Sequence, residues 1–213
     1  MREDLDHGWL KQGSTASADV QQSYDDWAES YDGDLAEWDY RAPAEAARLL
    51  AGTAPLTATV LDAGCGTGLA GHALRAAGFT GPIDGIDLSQ ASLQEAAKRG
   101  IYRDLGPANL QDLPLAIAAD RYDALVCIGV LTYVPDSEAI LREFARLVRP
   151  GGTVLVTQRD DLFAERDFGA TVERLRAAGV FADATITEPK PYLPGNPDFA
   201  EETRVVYVRA TVT

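Results

Sequence analysis

Residues 62–71 read Asp62-Ala-Gly-Cys-Gly-Thr-Gly-Leu-Ala-Gly71, and this glycine-rich stretch decides the fold. The residues just before it include Val60 and Leu61, which are typical of a buried strand, and Leu69 begins a helical pattern. A strand that enters a helix through a glycine-rich turn is the opening of a βαβ unit. The stretch therefore predicts an α/β fold with a ligand site at the end of its first strand.

Downstream of this turn, strand and helix patterns alternate, as expected for successive βαβ units. Residues 122–130, YDALVCIGV, are almost wholly apolar and predict a central parallel strand that is covered on both faces. No helix fits between the last two strands, so we expect them to pair antiparallel. The other patterns predict strands at 58–61, 83–86, about 101–103, 153–158, 181–188 and 204–211. Helices are predicted at 69–77, at 90–98 after the N-cap Ser89, between the N-cap Asp136 and Pro150-Gly151-Gly152, and before Gly179.

Together these elements predict a Rossmann-like, seven-stranded, mostly parallel sheet with an antiparallel last strand and helices on both faces. Residues 56–213 form this core in the prediction. Residues 1–55 are polar, helix-prone and rich in aromatic side chains, and a segment of this size is too short to fold alone. We expect it to pack on the core as a short N-terminal helical lid.

The glycine stretch fits two cofactor signatures. Read from Gly66 it spells G-x-G-x-x-G, the dinucleotide fingerprint, and read from Asp62 it spells D-x-G-x-G-x-G, the signature of S-adenosylmethionine sites. In a dinucleotide site the first glycine directly ends the strand, but Gly66 lies five residues beyond Leu61. The frame that starts at Asp62 fits the strand end, and it leaves Gly71 as a helix residue that permits close packing.

Charge favours the same frame. S-adenosylmethionine carries an ammonium group and no phosphate, so Asp62 can hold the ammonium directly or through water, whereas it would repel a pyrophosphate. Asp87 ends the second strand, nineteen residues after Gly68, where a carboxylate accepts the ribose hydroxyls of either cofactor. Alternatively, the Asp87 carboxylate stabilises the start of the next helix through the helix dipole.

Composition excludes several classes of function. The formal net charge of −14 argues against nucleic acid as a partner, because phosphate binding needs clustered Lys and Arg. No apolar run has the roughly 18 residues of a membrane span, and the first residues do not resemble a signal peptide, so a cytoplasmic location is expected. Cys65 and Cys127 are far apart, and His7 and His72 are the only histidines, so no metal site is predicted.

The series of motifs resembles the class I S-adenosylmethionine-dependent methyltransferases from about Ala58 onward. The similarity is carried by VLDAGCGTG, GIDLS, NLQDLPL, YDALVCIGVLTYVPD and LVRPGGTVLVTQRDDLF. More narrowly, KRGIYRDLGPANLQDLPL, GVLTYV, QRDDLF, PYLPG and YDGDLAEWDYRAP are similar to the small methyltransferase-like proteins named after the Williams–Beuren syndrome critical region.

The resemblance implies a set of cofactor contacts. The loop from Asp62 to Gly68 would cradle the methionine part, Asp87 would bind the ribose and Leu88 would pack on the adenine. Asn109 stands where the family usually has an acidic residue, which weakens the expected bond to the adenine amino group because an amide oxygen carries no charge. The full predicted set is Tyr31, Asp62, Gly64, Cys65, Gly66, Gly68, Asp87, Leu88, Asn109, Leu110, Ile128 and Gly129.

The catalytic and acceptor residues are less constrained. Related enzymes often have a His where this chain has Tyr133, and a tyrosine is a poor base at neutral pH, so Tyr133 is predicted to orient the acceptor or to face the cationic transition state. Alternatively, the Tyr133 ring packs over the mouth of the pocket. The predicted acceptor contacts are Trp38, Tyr40, Tyr133, Arg159 and Tyr192, with selectivity from the lid and from the loops 160–168 and 191–197. The alternative for Arg159 is a surface ion pair with a neighbouring Asp, and the alternative for Trp38 is packing of the N-terminal helices.

The predicted activity is therefore methyl transfer from S-adenosylmethionine to a small molecule, by a monomer or homodimer. Two alternatives stay open: non-methylating chemistry on the same cofactor, such as cyclisation or elimination, and a dinucleotide-dependent oxidoreductase.

Overall fold

The computed structural model describes residues 9–12, 14–196, 199 and 203–213. His7 and Pro197, which entered the predictions above, lie outside these residues, as do the first eight residues of the predicted lid. Within the described residues the strands are β1 (Val60–Ala63), β2 (Ile83–Asp87), β3 (Asp104–Pro107), β4 (Tyr122–Cys127), β5 (Val148–Arg159), β6 (Phe181–Ile186), β7 (Lys190–Pro191) and β8 (Arg204–Val212). The helices are α1 (Trp9–Gln12), α2 (Ser17–Trp27), α3 (Tyr31–Glu37), α4 (Ala42–Ala51), α5 (Leu69–Ala76), α6 (Gln90–Lys98), α7 (Ser137–Leu147), α8 (Asp160–Glu165) and α9 (Phe168–Ala177).

The strands form one sheet in the order β3-β2-β1-β4-β5-β8-β6, and the two-residue β7 pairs with β8. Pairing is parallel from β3 to β5, whereas β8 runs antiparallel to both of its neighbours. The Rossmann-like fold with an antiparallel last strand is thus confirmed, and β4 lies in the middle of the sheet as its apolar sequence predicts. The pairing of β7 was not predicted.

Both faces of the sheet are buried. One face packs on α7 and α9 through side chains such as Phe144 and Leu175, and the other packs on α4 and α5 through Leu50 and Leu74, all of which are at most 1% exposed. This double coverage explains why β4 has no alternation of apolar and polar residues. It also leaves the edge where the parallel strands end as the open place for a ligand.

Several helix ends follow the local sequence signals. Ser89 caps α6 by accepting a hydrogen bond from the Ser92 amide at 3.0 Å, and Asp136 caps α7 by accepting from the Ala139 amide at 2.9 Å. Gly179 follows α9 with a φ of +71°, the left-handed conformation that closes a helix.

Other predicted boundaries are wrong. β1 is shifted two residues later than predicted, so Asp62 lies within the strand. The weak third strand begins at Asp104 rather than at 101, because Ile101 and Tyr102 pack into the core beside α5 instead of pairing. Helix α7 ends at Leu147, and Pro150-Gly151-Gly152 belongs to an irregular first part of β5. The predicted 160–168 loop contains α8.

Candidate functional site

The turn between β1 and α5 is built from glycines in the left-handed region. Gly64, Gly66 and Gly68 have φ values of +76°, +52° and +95°, which side-chain-bearing residues rarely adopt. The amide of Gly66 donates to Asp87 Oδ2 at 2.7 Å, and the amides of Gly64 and Cys65 donate to the Ile86 carbonyl. The glycine turn is therefore held against the carboxyl end of β2.

A cavity of about 890 Å³, including its open mouth, lies over this turn and over the ends of β2 and β4. We call it the cofactor cavity. It brings together ten of the twelve residues predicted to bind the cofactor, namely Tyr31, Gly64, Cys65, Gly66, Asp87, Leu88, Asn109, Leu110, Ile128 and Gly129. Asp62 and Gly68 do not line it.

Asp62 lies behind the glycine turn and is fully buried. Its Oδ2 accepts a hydrogen bond from the Tyr102 hydroxyl at 2.7 Å, while its Oδ1 has no partner among the described residues. Burial raises the pKa of this carboxyl to about 7, and the nearby Asp87 adds to the shift. A buried carboxylate oxygen without a partner is expensive, and because Asp62 does not line the cofactor cavity, this atom fits a water that contacts the ammonium of the predicted cofactor.

Asp87 is presented to the cofactor cavity by amide bonds on both of its oxygens. Oδ1 accepts from the Ser89 amide at 2.8 Å and Oδ2 from the Gly66 amide. Each carboxylate oxygen keeps a further lone pair, which suits it to accept ribose hydroxyls. Burial raises the pKa of Asp87, with a further contribution from the Asp25 carboxylate in the lid, and the amide bonds oppose this shift.

Asn109 lies at the far end of the cofactor cavity with part of its bonding capacity in use. Its Oδ1 accepts from the Gln111 amide at 3.0 Å, and its Nδ2 donates to Ser17 Oγ in α2 at 3.1 Å. The Asn109 side chain, which was predicted to bind adenine, thus also links the lid to the core.

The lid contributes polar contacts that the sequence analysis missed. Asp25 Oδ1 accepts from the Ser89 hydroxyl at 2.6 Å and from the Ala91 amide at 3.1 Å, at the first turn of α6. Asp32 accepts from the Thr67 hydroxyl at 2.6 Å and forms an ion pair with Arg99. Because these partners are 35 to 67 residues away in sequence, only the charge of Asp25 and Asp32 beside aromatic residues offered a signal.

A second, smaller cavity adjoins the first, and we call it the aromatic chamber. It is lined by Leu10, Tyr24, Trp27, Tyr31, Leu35, Tyr40, Gly129, Thr132, Tyr133, Arg159, Tyr192, Leu193 and Phe199. Four of the five predicted acceptor contacts are in this lining. Trp38 is not: it packs behind the chamber, with its ring 5.6 Å from that of Trp27.

Tyr133 joins the two cavities, and it lies in the single 3-10 turn (Leu131–Tyr133) after β4. Its hydroxyl accepts a hydrogen bond from the Tyr24 hydroxyl at 3.1 Å, and its carbonyl accepts from Gln111 Nε2 at 3.0 Å. Burial raises the pKa of Tyr133, so its hydroxyl stays protonated at neutral pH.

A family model described as a methyltransferase domain matches residues 35–185. The chain belongs to the methyltransferase domain family. This confirms the resemblance to class I methyltransferases and the expected enzyme class, and it agrees with S-adenosylmethionine as the cofactor that the cavity fits. The matched range begins inside the lid and ends before β8.

Two curated relatives agree with this methyltransferase assignment. Human methyltransferase-like protein 27 is 35% identical over 166 residues, which cover 74% of this chain and 66% of the relative. The ubiquinone biosynthesis O-methyltransferase of Proteus mirabilis is 34% identical over 98 residues, which cover 45% of this chain and 39% of the relative. The match thus spans just under two thirds of the first relative and about two fifths of the second.

Among solved structures, the fold is similar to that of a Thermotoga maritima protein described as an S-adenosylmethionine-dependent methyltransferase and possible histamine N-methyltransferase. The TM-score is 0.64 at 16% identity, over 90% of this chain and 98% of that one. In the described part of this methyltransferase chain, no group of three or more His, Cys, Asp or Glu side chains has the arrangement of a metal site. Nor does any described helix have the length and apolar character to cross a membrane.

Proposed function

We propose that this protein transfers a methyl group from S-adenosylmethionine to a small-molecule acceptor in the aromatic chamber. The observation that carries the proposal is the common wall of the two cavities, since Tyr24, Tyr31, Tyr40, Gly129 and Tyr133 line both. When bound, the cofactor supplies an electrophilic methyl group on a sulfonium. The chain then has to align an acceptor with that group and exclude water.

The chamber's lining supports a planar acceptor. Its walls are mainly aromatic side chains, whose ring faces suit flat molecules. The P. mirabilis relative is named for O-methylation in ubiquinone biosynthesis, which also favours a small acceptor. The lid, together with Tyr192, Leu193 and Phe199, forms most of the chamber and would set its selectivity.

The charge expected of the acceptor follows from Arg159. Among the described residues that line the chamber, its guanidinium is the one charged group, and the residue is 8% exposed. It forms a two-point ion pair with Asp161, and its Nη1 donates to the Leu10 carbonyl at 2.8 Å. An acceptor carboxylate that replaces the Leu10 carbonyl gains a charge-assisted bond, so we propose a planar acceptor that carries an anionic group.

Tyr133 is assigned an orienting role rather than that of a base. Its raised pKa keeps the hydroxyl protonated, and because it accepts from Tyr24, its own hydrogen is available to an acceptor oxygen or nitrogen.

The test has two stages. In the first, thermal unfolding is followed with S-adenosylmethionine and with NADH; we expect only the former to raise the Tm. Stabilisation by NADH alone would indicate an oxidoreductase and overturn the proposal.

The second stage measures S-adenosylhomocysteine released with a panel of planar phenols, each supplied as its carboxylate and as its amide. We expect turnover with the carboxylates, and we expect Arg159→Gln to remove the preference over the amides while the exposed control Arg174→Gln keeps it. Product formed without S-adenosylhomocysteine would indicate non-methylating chemistry, and a preference for the amides would overturn the anionic acceptor.

A further inference from the structure

The ring of Tyr102 lies behind the glycine turn, in a slot that three glycines leave open. A Cβ atom at Gly71 would be 2.4 Å from the Tyr102 hydroxyl oxygen, and one at Gly85 or Gly68 would be 3.0 Å or 3.1 Å from ring carbons. These glycines come from α5, from β2 and from the turn itself. At Gly71 the nearest neighbour is Tyr102, which is therefore the reason for the missing side chain there; at Gly85 a Cβ would come still closer to Leu105, and Gly68 also needs its left-handed φ.

The Tyr102 hydroxyl makes one side-chain contact at the end of that slot, with Asp62 Oδ2 at 2.7 Å. Because Asp62 is fully buried, this bond decides which carboxylate oxygen is satisfied by the protein and which is left for a ligand. The aromatic ring and the hydroxyl thus have separable effects: the ring supports the turn from behind, and the hydroxyl fixes the carboxylate.

We propose that Tyr102 is a positioning residue for the amino-acid part of the cofactor, because its hydroxyl holds Asp62 with one oxygen left for a water that contacts the cofactor's ammonium. This inference rests on the binding of S-adenosylmethionine in the cofactor cavity and is independent of the acceptor. It also assigns Gly71, the last glycine of the apparent dinucleotide signature, to accommodating Tyr102.

The surroundings of Asp62 make this hydrogen bond important for the ionisation of the Asp62 carboxyl group. The titratable groups that act on the carboxylate are Tyr102, the thiols of Cys65 and Cys127, and the carboxylate of Asp87. Burial and Asp87 raise the pKa of Asp62, and the Tyr102 hydrogen bond is the first of the contributions that oppose them. Loss of the hydroxyl raises this pKa further and leaves less carboxylate in the ionised form that an ammonium needs.

The experiment compares two ligands by titration calorimetry. S-adenosylhomocysteine and 5′-methylthioadenosine share the adenosine and the sulfur, but only the first carries an ammonium group. We expect Tyr102→Phe, which keeps the ring, to weaken S-adenosylhomocysteine about tenfold while 5′-methylthioadenosine changes by less than about twofold. The matched control is Tyr122→Phe, which removes another hydroxyl bonded to a buried carboxylate, Asp84, away from both cavities; it should leave both affinities unchanged.

A second measurement gives a readout that simple loosening of the turn would not produce. The affinity of S-adenosylhomocysteine is measured against pH, and the midpoint of its loss on acidification should lie higher in Tyr102→Phe than in the wild type. In an Asp62→Asn background, the same substitution should change this affinity by less than about twofold, because no carboxylate remains to be held.

Equal weakening of both ligands would reduce Tyr102 to a packing role and overturn the proposal. No weakening of either ligand, or an unchanged pH midpoint, would overturn it as well. Failure of the wild-type protein to bind either ligand would instead contradict the cofactor assignment. If Tyr102→Phe does not fold, the pair Asp62→Asn and wild type still tests the premise, since equal binding of S-adenosylhomocysteine to both would remove the reason to position Asp62.

Discussion

The hydroxyl of Tyr24 in the lid donates to the hydroxyl of Tyr133 in the core at 3.1 Å, and the two rings meet edge to face with centroids 5.7 Å apart. The pair lies where the cofactor cavity and the aromatic chamber meet. The lid is therefore part of the wall of the site.

The first prediction separates cofactor binding from this tyrosine pair. Asp87→Ala should weaken S-adenosylhomocysteine more than about a hundredfold, because it removes the ribose acceptor and the oxygen that holds the Gly66 amide. Tyr133→Phe should change the affinity by less than about threefold. Titration calorimetry measures both, and equal binding by the two variants would contradict our assignment of the site.

The second prediction concerns how the lid is held. Asp25→Ala removes a carboxylate that accepts two hydrogen bonds at the first turn of α6, where a negative charge is also favoured by the helix dipole, and this should weaken lid closure by about 1 kcal/mol. Hydrogen exchange in residues 17–27 should become about fivefold faster. The neighbouring Asp26→Ala is the control, since Asp26 bonds only to Gln22 on the same helix among the contacts described. Equal acceleration by both variants would argue against the role of Asp25.

The third prediction follows from the raised pKa of Asp62. An unfolded Asp loses its proton near pH 4, whereas Asp62 in the fold keeps its proton up to about pH 7. Between these values the folded state binds more protons, so stability falls as pH rises through this window and the loss is complete above about pH 7. Without cofactor, Asp62→Asn should thus have a Tm at least about 2–4 °C above wild type at pH 8 and lose this advantage near pH 4. A Tm difference that does not depend on pH would contradict the raised pKa of Asp62.

The fourth prediction is that the effect of Gly71→Ala on the free energy of unfolding changes sign when the Tyr102 side chain is removed. Ala is favoured over Gly within a helix by about 1 kcal/mol, but a Cβ at this position would be 2.4 Å from the Tyr102 hydroxyl oxygen. Gly71→Ala should therefore lower the free energy of unfolding in the wild type and raise it in a Tyr102→Ala background, where the slot is empty. Urea denaturation of the four variants measures this coupling. An additive result would mean that Tyr102 is not the reason for the glycine.

The core of the fold could be predicted because its signals are local. The apolar run of β4, the caps Ser89 and Asp136, and the glycines that follow β1 each fix a structure within a few residues of themselves. Strand ends were less predictable. β3 begins three residues later than expected because Tyr102, which has a high strand propensity, instead packs into a slot beside distant glycines.

The parts of the site that belong to the glycine turn and to the strand ends could be predicted from the sequence. The cofactor residues at the ends of β1, β2 and β4 follow from the order of the strands. The roles of Tyr24, Asp25 and Asp32 depend on how the lid is placed over the core, and no periodicity encodes a contact across tens of residues. Trp38 illustrates the same limit, since its aromatic character alone could not tell a chamber wall from the packing behind it.

The antiparallel direction of β8 has a consequence for how such an enzyme can diversify. Because β6 ends and β8 begins at the same edge as the cofactor cavity, residues 192–196, which follow β7, lie at a tip that can change in length and sequence without altering any strand of the sheet. This tip meets the lid directly, as in the bond from the Gly195 amide to the Trp38 carbonyl. New acceptors can therefore be recruited by substitutions in two short, mutually contacting segments, while the methyl-donor half of the protein is inherited unchanged.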